Sequence, residues 1–485
     1  MRRPKDIILA AAYGLGLLAA PAATAAPKSS CAGDIVAARQ HSGIFSGRKV
    51  QYSSCVEAYD AQDETGKAVA RLVAISYIAN TPQHDRPVLF AFNGGPISAS
   101  AILHMGALGP KRVAVPDDIT VQRDQFRLVD NPHALLDVAD IVFFDPAGTG
   151  LSEVAPQTDP VSQFSVTADA RQLQQLVLGW TRAHGREGSP IYLLGESYGT
   201  LRAPAAAQQL ALAGRAPAGL ILIGQAVNII EYAQRPGNII SYAVSLPTLA
   251  ATAWWHGRAD RRGRSFEQFI AEAQVFGGNA YLTTLYAGDT APHAQQEAVA
   301  RELEAYTGIS SADWLSHQLR ISKTKYQRML FPGDRLATND ARYRGPLTGP
   351  DAFSPVVEAY QAEFSSYLRS DLGIATGDYK ASNPLVKGLE SWNWGTNKTP
   401  FGDWPYGDAI GELMKTNPTF RLFVANGYYD TQTTIGAMDY LVSQGGWPRE
   451  RVRSRYYQGG HMAYSVDASL TALTDDIRDM LRDEW

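Results

Sequence analysis

One serine in this chain has the neighbours that a serine nucleophile needs: Ser197, in Gly195-Glu196-Ser197-Tyr198-Gly199. The apolar run Pro190-Ile191-Tyr192-Leu193-Leu194 leads into it, and an Ala-, Leu- and Gln-rich stretch ending at Leu212 follows. Gly-x-Ser-x-Gly between a strand and a helix makes a tight turn that exposes the hydroxyl, with glycines where the backbone is crowded. The helix that follows aims its N-terminus at the site, which favours developing negative charge. A hydroxyl is a weak nucleophile, so it needs a base held in place by a third group. In this strand–turn–helix setting the chain order is Ser, then Asp or Glu, then His. Beyond His317 the remaining histidine is His461, in Gln458-Gly459-Gly460-His461-Met462, and it is the predicted base. Asp430 is the predicted acid: it follows the apolar run Leu422 to Ala425 through the turn Asn426-Gly427-Tyr428-Tyr429. Asp403 and Asp408 fit less well, because they precede that run. Asp430 also suits a helix N-cap, a role compatible with orienting His461.

Acyl transfer further requires two preset N–H donors for the tetrahedral oxyanion. Tyr198, directly after the nucleophile, is one candidate. Gly95 is the other, in the turn Asn93-Gly94-Gly95-Pro96 that closes the apolar run Val88 to Phe92.

The elements that must hold these groups are legible as short apolar runs: Val88 to Phe92, Ile141 to Phe144, Ile191 to Leu194, Leu220 to Ile223 and Leu422 to Ala425, with a further strand at Arg453 to Tyr457. Runs apolar on both faces suit the interior of a mostly parallel sheet. Helical patterns lie between them at Ala168 to His184 and Tyr198 to Leu212, so the expected class is α/β, with crossovers on a central sheet. The alternation breaks after Val227. From Ile229 to Asn393 the chain is rich in helix formers, Tyr and Trp, with helices expected at Gln295 to Tyr306 and Asp351 to Arg369. The expectation is a discontinuous core, 30–228 and 394–485, with an inserted helical cap at 229–393. Cap aromatics such as Trp254, Trp255, Tyr281 and Trp314 read first as packing residues.

The chain has 485 residues, 45% hydrophobic and only 19% charged, a globular composition with ample material for a large core. Arg2, Arg3 and Lys5, an apolar stretch from Ile7 to Ala20 and Ala23-Thr24-Ala25 read as a signal peptide, 1–25, cut near Ala25. An uncleaved anchor is the alternative, disfavoured because the apolar run is short for a bilayer span. Cleavage removes three positive residues and Asp6, taking the net charge from −4 to −6. Nucleic acid is thereby a poor partner, as is a membrane once the signal is removed. The expected location is secreted or periplasmic, where Cys31 and Cys55 would pair as a disulfide rather than persist as free thiols. The sequence carries no metal or nucleotide motif, so no cofactor is expected; Gly148-Thr149-Gly150 lacks the ending of a phosphate loop and reads as a turn.

These pieces together resemble the serine carboxypeptidases, a family on the α/β-hydrolase fold. The resemblance rests on Asn93-Gly94-Gly95-Pro96, Gly195-Glu196-Ser197-Tyr198-Gly199, Asn426-Gly427-Tyr428-Tyr429-Asp430 and Gly459-Gly460-His461-Met462, with Asn131-Pro132 and Asp145-Pro146-Ala147-Gly148-Thr149-Gly150. It implies peptide substrates, cleaved one residue at a time from the C-terminus. It also implies that Asn93 and Glu196 bind the terminal carboxylate. A carboxyl can do so only when protonated, which favours acidic pH. Two positions depart from the family pattern. Ala107 stands where a second Glu precedes the match to Leu108-Gly109-Pro110, and Ile97 stands where a Gly follows Asn-Gly-Gly-Pro. An Ile there is strained if the position needs φ > 0. An esterase or acyltransferase with the same triad is the alternative function, and a binding protein that has lost catalysis is a third.

Overall fold

The apolar runs become adjacent strands because each buries side chains on both of its faces. In the computed structural model, which describes residues 30–484 except 82–84, 121–122, 375–378, 387 and 396–402, they form a ten-stranded sheet. Its principal strands are β1 (Asp34–Phe45), β2 (Arg48–Gln62), β3 (Ala68–Ala79), β4 (Val88–Phe92), β5 (Asp140–Phe144), β6 (Ile191–Glu196), β7 (Gly219–Ile223), β8 (Arg421–Gly427) and β9 (Val452–Tyr457). Their order is β1-β2-β3-β5-β4-β6-β7-β8-β9, and the short strand Glu153–Val154 pairs onto β3. The strands from β5 to β9 in this order run parallel, while β1, β2 and β3 form an antiparallel flank. The mostly parallel central sheet of an α/β-hydrolase is therefore present. The expected signal peptide lies outside the described residues. Among the described residues no helix is long and apolar enough to cross a membrane.

Alternate residues of each strand feed two apolar layers. Leu89, Ala91, Ile141, Phe143, Ile221 and Phe423 point into one. Val88, Phe90, Val142, Phe144, Leu222 and Val424 point into the other. The second layer is covered by α1 (Val166–Ala183) and α2 (Gly199–Leu212), through Leu173, Leu176, Trp180, Leu201 and Leu210. Ser165 starts α1 by accepting the Ala168 N–H, an ordinary N-cap.

A third apolar cluster is built by α3 (Leu246–Trp255), α4 (Phe266–Phe276) and α5 (His293–Thr307) with Trp314 and Tyr326, joined by Tyr429 and Ile435 from beyond β8. Tyr281 and Trp314 are buried there, whereas Trp255 is exposed. Next come α6 (Lys323–Met329) and α7 (Ser354–Ser370). Helix α7 packs elsewhere: Val356, Tyr360, Phe364 and Tyr367 join the first sheet layer, which α9 (Asp467–Leu481) also covers after α8 (Ile435–Gln444). Cys31 and Cys55 form a disulfide at the β1–β2 edge.

Candidate active site

Ser197 occupies the sharp turn between β6 and α2, with φ of +58°. Its N–H donates to Ile223 O at 2.9 Å, which fixes the turn to the end of β7. The glycine before it is required by contact: a Cβ on Gly195 would lie 2.2 Å from Gly199 O. Ser197 itself is half-buried.

Asp430 lies in the turn after β8, and His461 in the turn after β9. Both are buried, and His461 Nδ1 meets Asp430 Oδ2 at 2.7 Å. Asp430 splits its oxygens between two jobs. Oδ1 accepts the N–H groups of Gln432 and Thr433 at 2.7 and 3.0 Å, holding the turn. Oδ2 faces the histidine and accepts the Thr433 hydroxyl at 2.5 Å. Burial pushes the His461 imidazolium down, but Asp430, its hydrogen bond and the Glu196 charge outweigh this and hold the ring above the ordinary histidine range. With Nδ1 engaged, Nε2 is the nitrogen left for a serine proton. The ring reaches the elbow: a Cβ on Gly224, next to Ile223, would lie 2.7 Å from His461 Cε1. No hydrogen bond joins Ser197 Oγ to His461 here, a link that in enzymes often tightens only with substrate bound.

The turn after β4 packs on the elbow backbone. Tyr198 N lies 2.4 Å from where a Gly94 Cβ would stand, so the peptides of Gly94-Gly95 and Tyr198 are neighbours. The Tyr198 side chain points away: its hydroxyl donates to Asp169 Oδ2 at 2.9 Å. Asp169 also accepts Arg202 Nε at 2.7 Å, and Arg202 donates to Asn93 O at 2.7 Å, so one buried ion pair ties α1, α2 and the Asn93 turn together.

Asn93 and Glu196 meet, Asn93 Nδ2 donating to Glu196 Oε1 at 3.0 Å. The Leu103 N–H donates to Asn93 Oδ1 at 2.9 Å and so sets which way the amide faces. The other Glu196 oxygen accepts the Tyr464 hydroxyl at 2.5 Å. Burial pushes the Glu196 carboxyl above its usual range, against the opposing effects of His461, Tyr464 and Asn93. Ala107 is buried in the first sheet layer, and Ile97, also buried, has φ of +52°. The backbone there does adopt the conformation that a β-branched residue resists. Gly148-Thr149-Gly150 is a turn around buried Asp145, whose Oδ1 accepts the N–H and hydroxyl of Ser100.

Several contributors have no motif in the sequence. Asn339 and Asp340 grip the turn that carries His461: His461 N–H donates to Asn339 O at 2.6 Å and Gly460 N–H to Asp340 Oδ2 at 3.0 Å. On the acid turn, Lys323 Nζ donates to Gln432 O and Gln327 Nε2 to Thr431 Oγ1, each at 2.7 Å. Burial pushes the Lys323 ammonium down to about 8. Thr433 and Tyr464 each stand three residues beyond a predicted site residue, Asp430 and His461, and that proximity is the one local signal that marks them. Asn339 and Asp340 carry none.

Residues 75–222 match the serine carboxypeptidase family model, a stretch that includes Asn93, Gly95, Glu196, Ser197 and Tyr198. No curated protein matches the sequence. Among solved structures the chain is similar to Kex1Δp, a prohormone-processing carboxypeptidase from Saccharomyces cerevisiae. The TM-score is 0.51 at 14% identity, over 89% of this chain and 92% of that one. It is also similar to a proline iminopeptidase from Mycobacterium smegmatis, with TM-score 0.36 and 13% identity over 88% and 98% of the two chains. A third is an aryl esterase described as putative from Burkholderia cenocepacia, with TM-score 0.39 and 12% identity over 88% and 98%.

Proposed function

We propose that this chain removes C-terminal residues from peptides through an acyl-enzyme, with Ser197, His461 and Asp430 as the triad, a reading supported by the match of residues 75–222 to the serine carboxypeptidase family model and by the α/β-hydrolase fold. The observation that carries this reading is the buried Asp430–His461 pair, 2.7 Å apart, whose ring abuts the residue next to the one that anchors Ser197. Ser197 Oγ attacks the scissile carbonyl, and His461 Nε2 takes its proton and returns it to the leaving amine. Asp430 holds the tautomer and stabilises the imidazolium. The Gly95 and Tyr198 N–H groups receive the oxyanion. Water then attacks the ester, and His461 acts again as base.

Asn93 and Glu196 are proposed to receive the terminal carboxylate, with Glu196 protonated on binding. The raised Glu196 carboxyl supports that assignment. The protein is proposed to act outside the cytoplasm, after cleavage near Ala25. The Cys31–Cys55 disulfide supports an oxidising compartment. A helical cap at 229–393 over a core of 30–228 and 394–485 remains the proposed division of the chain.

A second reading is favoured by Ala107: without a second acid the same triad would serve an esterase or acyltransferase. Mass spectrometry of one peptide, as the free acid and as its amide, separates the two. Stepwise loss of C-terminal residues from the free acid, slower from the amide and absent in Ser197→Ala, is the expected result. Intact peptides at every pH, with Ser197 still labelled by a serine-directed probe, would leave the esterase reading standing.

A further inference from the structure

The Glu196 carboxyl carries a second donor besides Asn93, the Tyr464 hydroxyl. Ala107 sits in a buried turn, its carbonyl held by Asn131 Nδ2 at 2.7 Å. Across this turn lies the ring of Tyr464: a Cβ on Gly106 would be 2.4 Å from Tyr464 Cε2. Tyr464 comes from the turn that follows His461, is 1% exposed, and ends with its hydroxyl 2.5 Å from Glu196 Oε2. Glu196 therefore has a donor on each oxygen, Asn93 on one and Tyr464 on the other. Tyr360 of α7 is close by, its Cζ 3.3 Å from the same Cβ position. It is fully buried, and its hydroxyl has no hydrogen-bond partner among the described residues. A buried phenol without a partner is costly, and beside Glu196 it is a donor in waiting for an anion.

We propose that Tyr464 completes, with Asn93 and Glu196, the recognition site for a free C-terminal carboxylate, by holding the Glu196 oxygen that Asn93 does not. The inference rests on the carboxypeptidase reading. Tyr464 is a positioning residue: it acts on the ligand through Glu196. The chemistry differs from that of two acids. Two facing carboxyls share a proton and titrate as a coupled pair. A phenol keeps its proton far beyond neutrality, and burial holds Tyr464 still higher. One carboxyl alone then titrates in the site. When the substrate carboxylate enters, Glu196 takes one proton from solvent and donates it to the ligand, while Tyr464 keeps its bond to Oε2. The charged and titratable groups around Glu196 are His461, Asp430, Tyr464 and, from α7, Tyr360.

The test is the pH dependence of kcat/KM for a free-acid peptide and for an ester substrate without a free carboxylate, in wild type and Tyr464→Phe. The hydroxyl stabilises ionised Glu196, so its removal raises that carboxyl. The alkaline limb for the free acid should move up by about one pH unit, the worth of one hydrogen bond to a charged group. KM for the free acid should rise several-fold below the limb with kcat little changed, while the alkaline limb for the ester should stay where it is. An unmoved or lowered limb, or an equal shift with the ester, overturns the inference while leaving the exopeptidase reading intact. A wild type that hydrolyses the ester but never trims the free acid overturns both. Should Tyr464→Phe not fold, infrared titration of the wild type reads the carboxyl directly, with Glu196→Gln to assign its band. Addition of a free-acid dipeptide above the limb should increase the protonated-carboxyl band; no increase overturns the inference.

Discussion

Asp340 touches no reacting atom, yet its replacement by Asn should cost both stability and catalysis. Its carboxylate is wholly buried, and each oxygen serves at least two donors, Arg342 Nε being shared between them at 3.0 and 3.1 Å. Oδ1 accepts the Arg342 backbone N–H and Nε at 3.1 and 3.0 Å. Oδ2 accepts Arg342 Nη2 at 2.6 Å and the Gly460 N–H at 3.0 Å. The Arg342 guanidinium is itself 5% exposed and lies over Trp255 and Tyr429. Asn is the same shape, but whichever oxygen becomes NH2 then faces two donors, and the buried cation loses its counter-charge. Breaking a buried pair on one side costs about 3–5 kcal/mol. The lower end applies here, since one acceptor remains and the aromatic faces still hold the cation. The freed Gly460 N–H loosens the turn that carries His461, and a displacement of about 1 Å near the reacting groups lowers turnover roughly 100-fold. Urea unfolding measures the first effect and ester kcat/KM the second. The double variant Asp340→Leu/Arg342→Met separates them. With both charges gone, stability should recover to within about 1–3 kcal/mol of wild type, the residue being the orphaned Gly460 N–H. Activity should stay low, because nothing replaces that acceptor. An Asp340→Asn protein with wild-type midpoint and turnover would refute the argument.

Glu196→Gln should move the acid limb of ester hydrolysis to lower pH. The Glu196 charge helps hold His461 up, so its removal lowers the pH at which the base becomes protonated; an upward shift would contradict the assignment. Ile97→Gly should destabilise the protein by about 1–3 kcal/mol in urea titration. Relief of positive-φ strain returns about 1–2 kcal/mol, while losing a side chain that is 2% exposed costs about 2–4 kcal/mol and the added chain freedom about 0.5–1 kcal/mol. A stabilised Ile97→Gly protein would mean that strain outweighs packing there. Cys31→Ser/Cys55→Ser should lose about 3 kcal/mol of stability with kcat/KM for the ester retained, because the bridge staples the β1–β2 edge. Loss of activity in the folded variant would show coupling from that edge to the site.

The parts legible in the sequence are those whose cause is local. Val88 to Phe92 reads as a strand and is one, residue for residue, because burial on both faces makes the run apolar throughout. Leu220 to Ile223 gains Gly219 at its start, and Leu422 to Ala425 gains Arg421 at its start and Asn426 and Gly427 from the turn predicted after it. The elbow is legible because Gly195 answers a contact only four residues away, with Gly199 O, although Gly199 itself packs on Phe92 and Asn93. Ile97 is legible in part: its type warns of strain only if φ is positive there, and +52° supplies that condition. What holds the chemistry in register is not local. Asn339 and Asp340 reach Gly460 and His461 across about 120 residues of chain, and Lys323 reaches Gln432 across 109. A backbone carbonyl accepting one N–H leaves no mark on residue type, and a lone Asp in a cap reads as surface charge. Tyr464 shows where the boundary lies. Its position three residues past His461 is visible, yet its contact with Glu196 exists only once the ring has folded against Gly106.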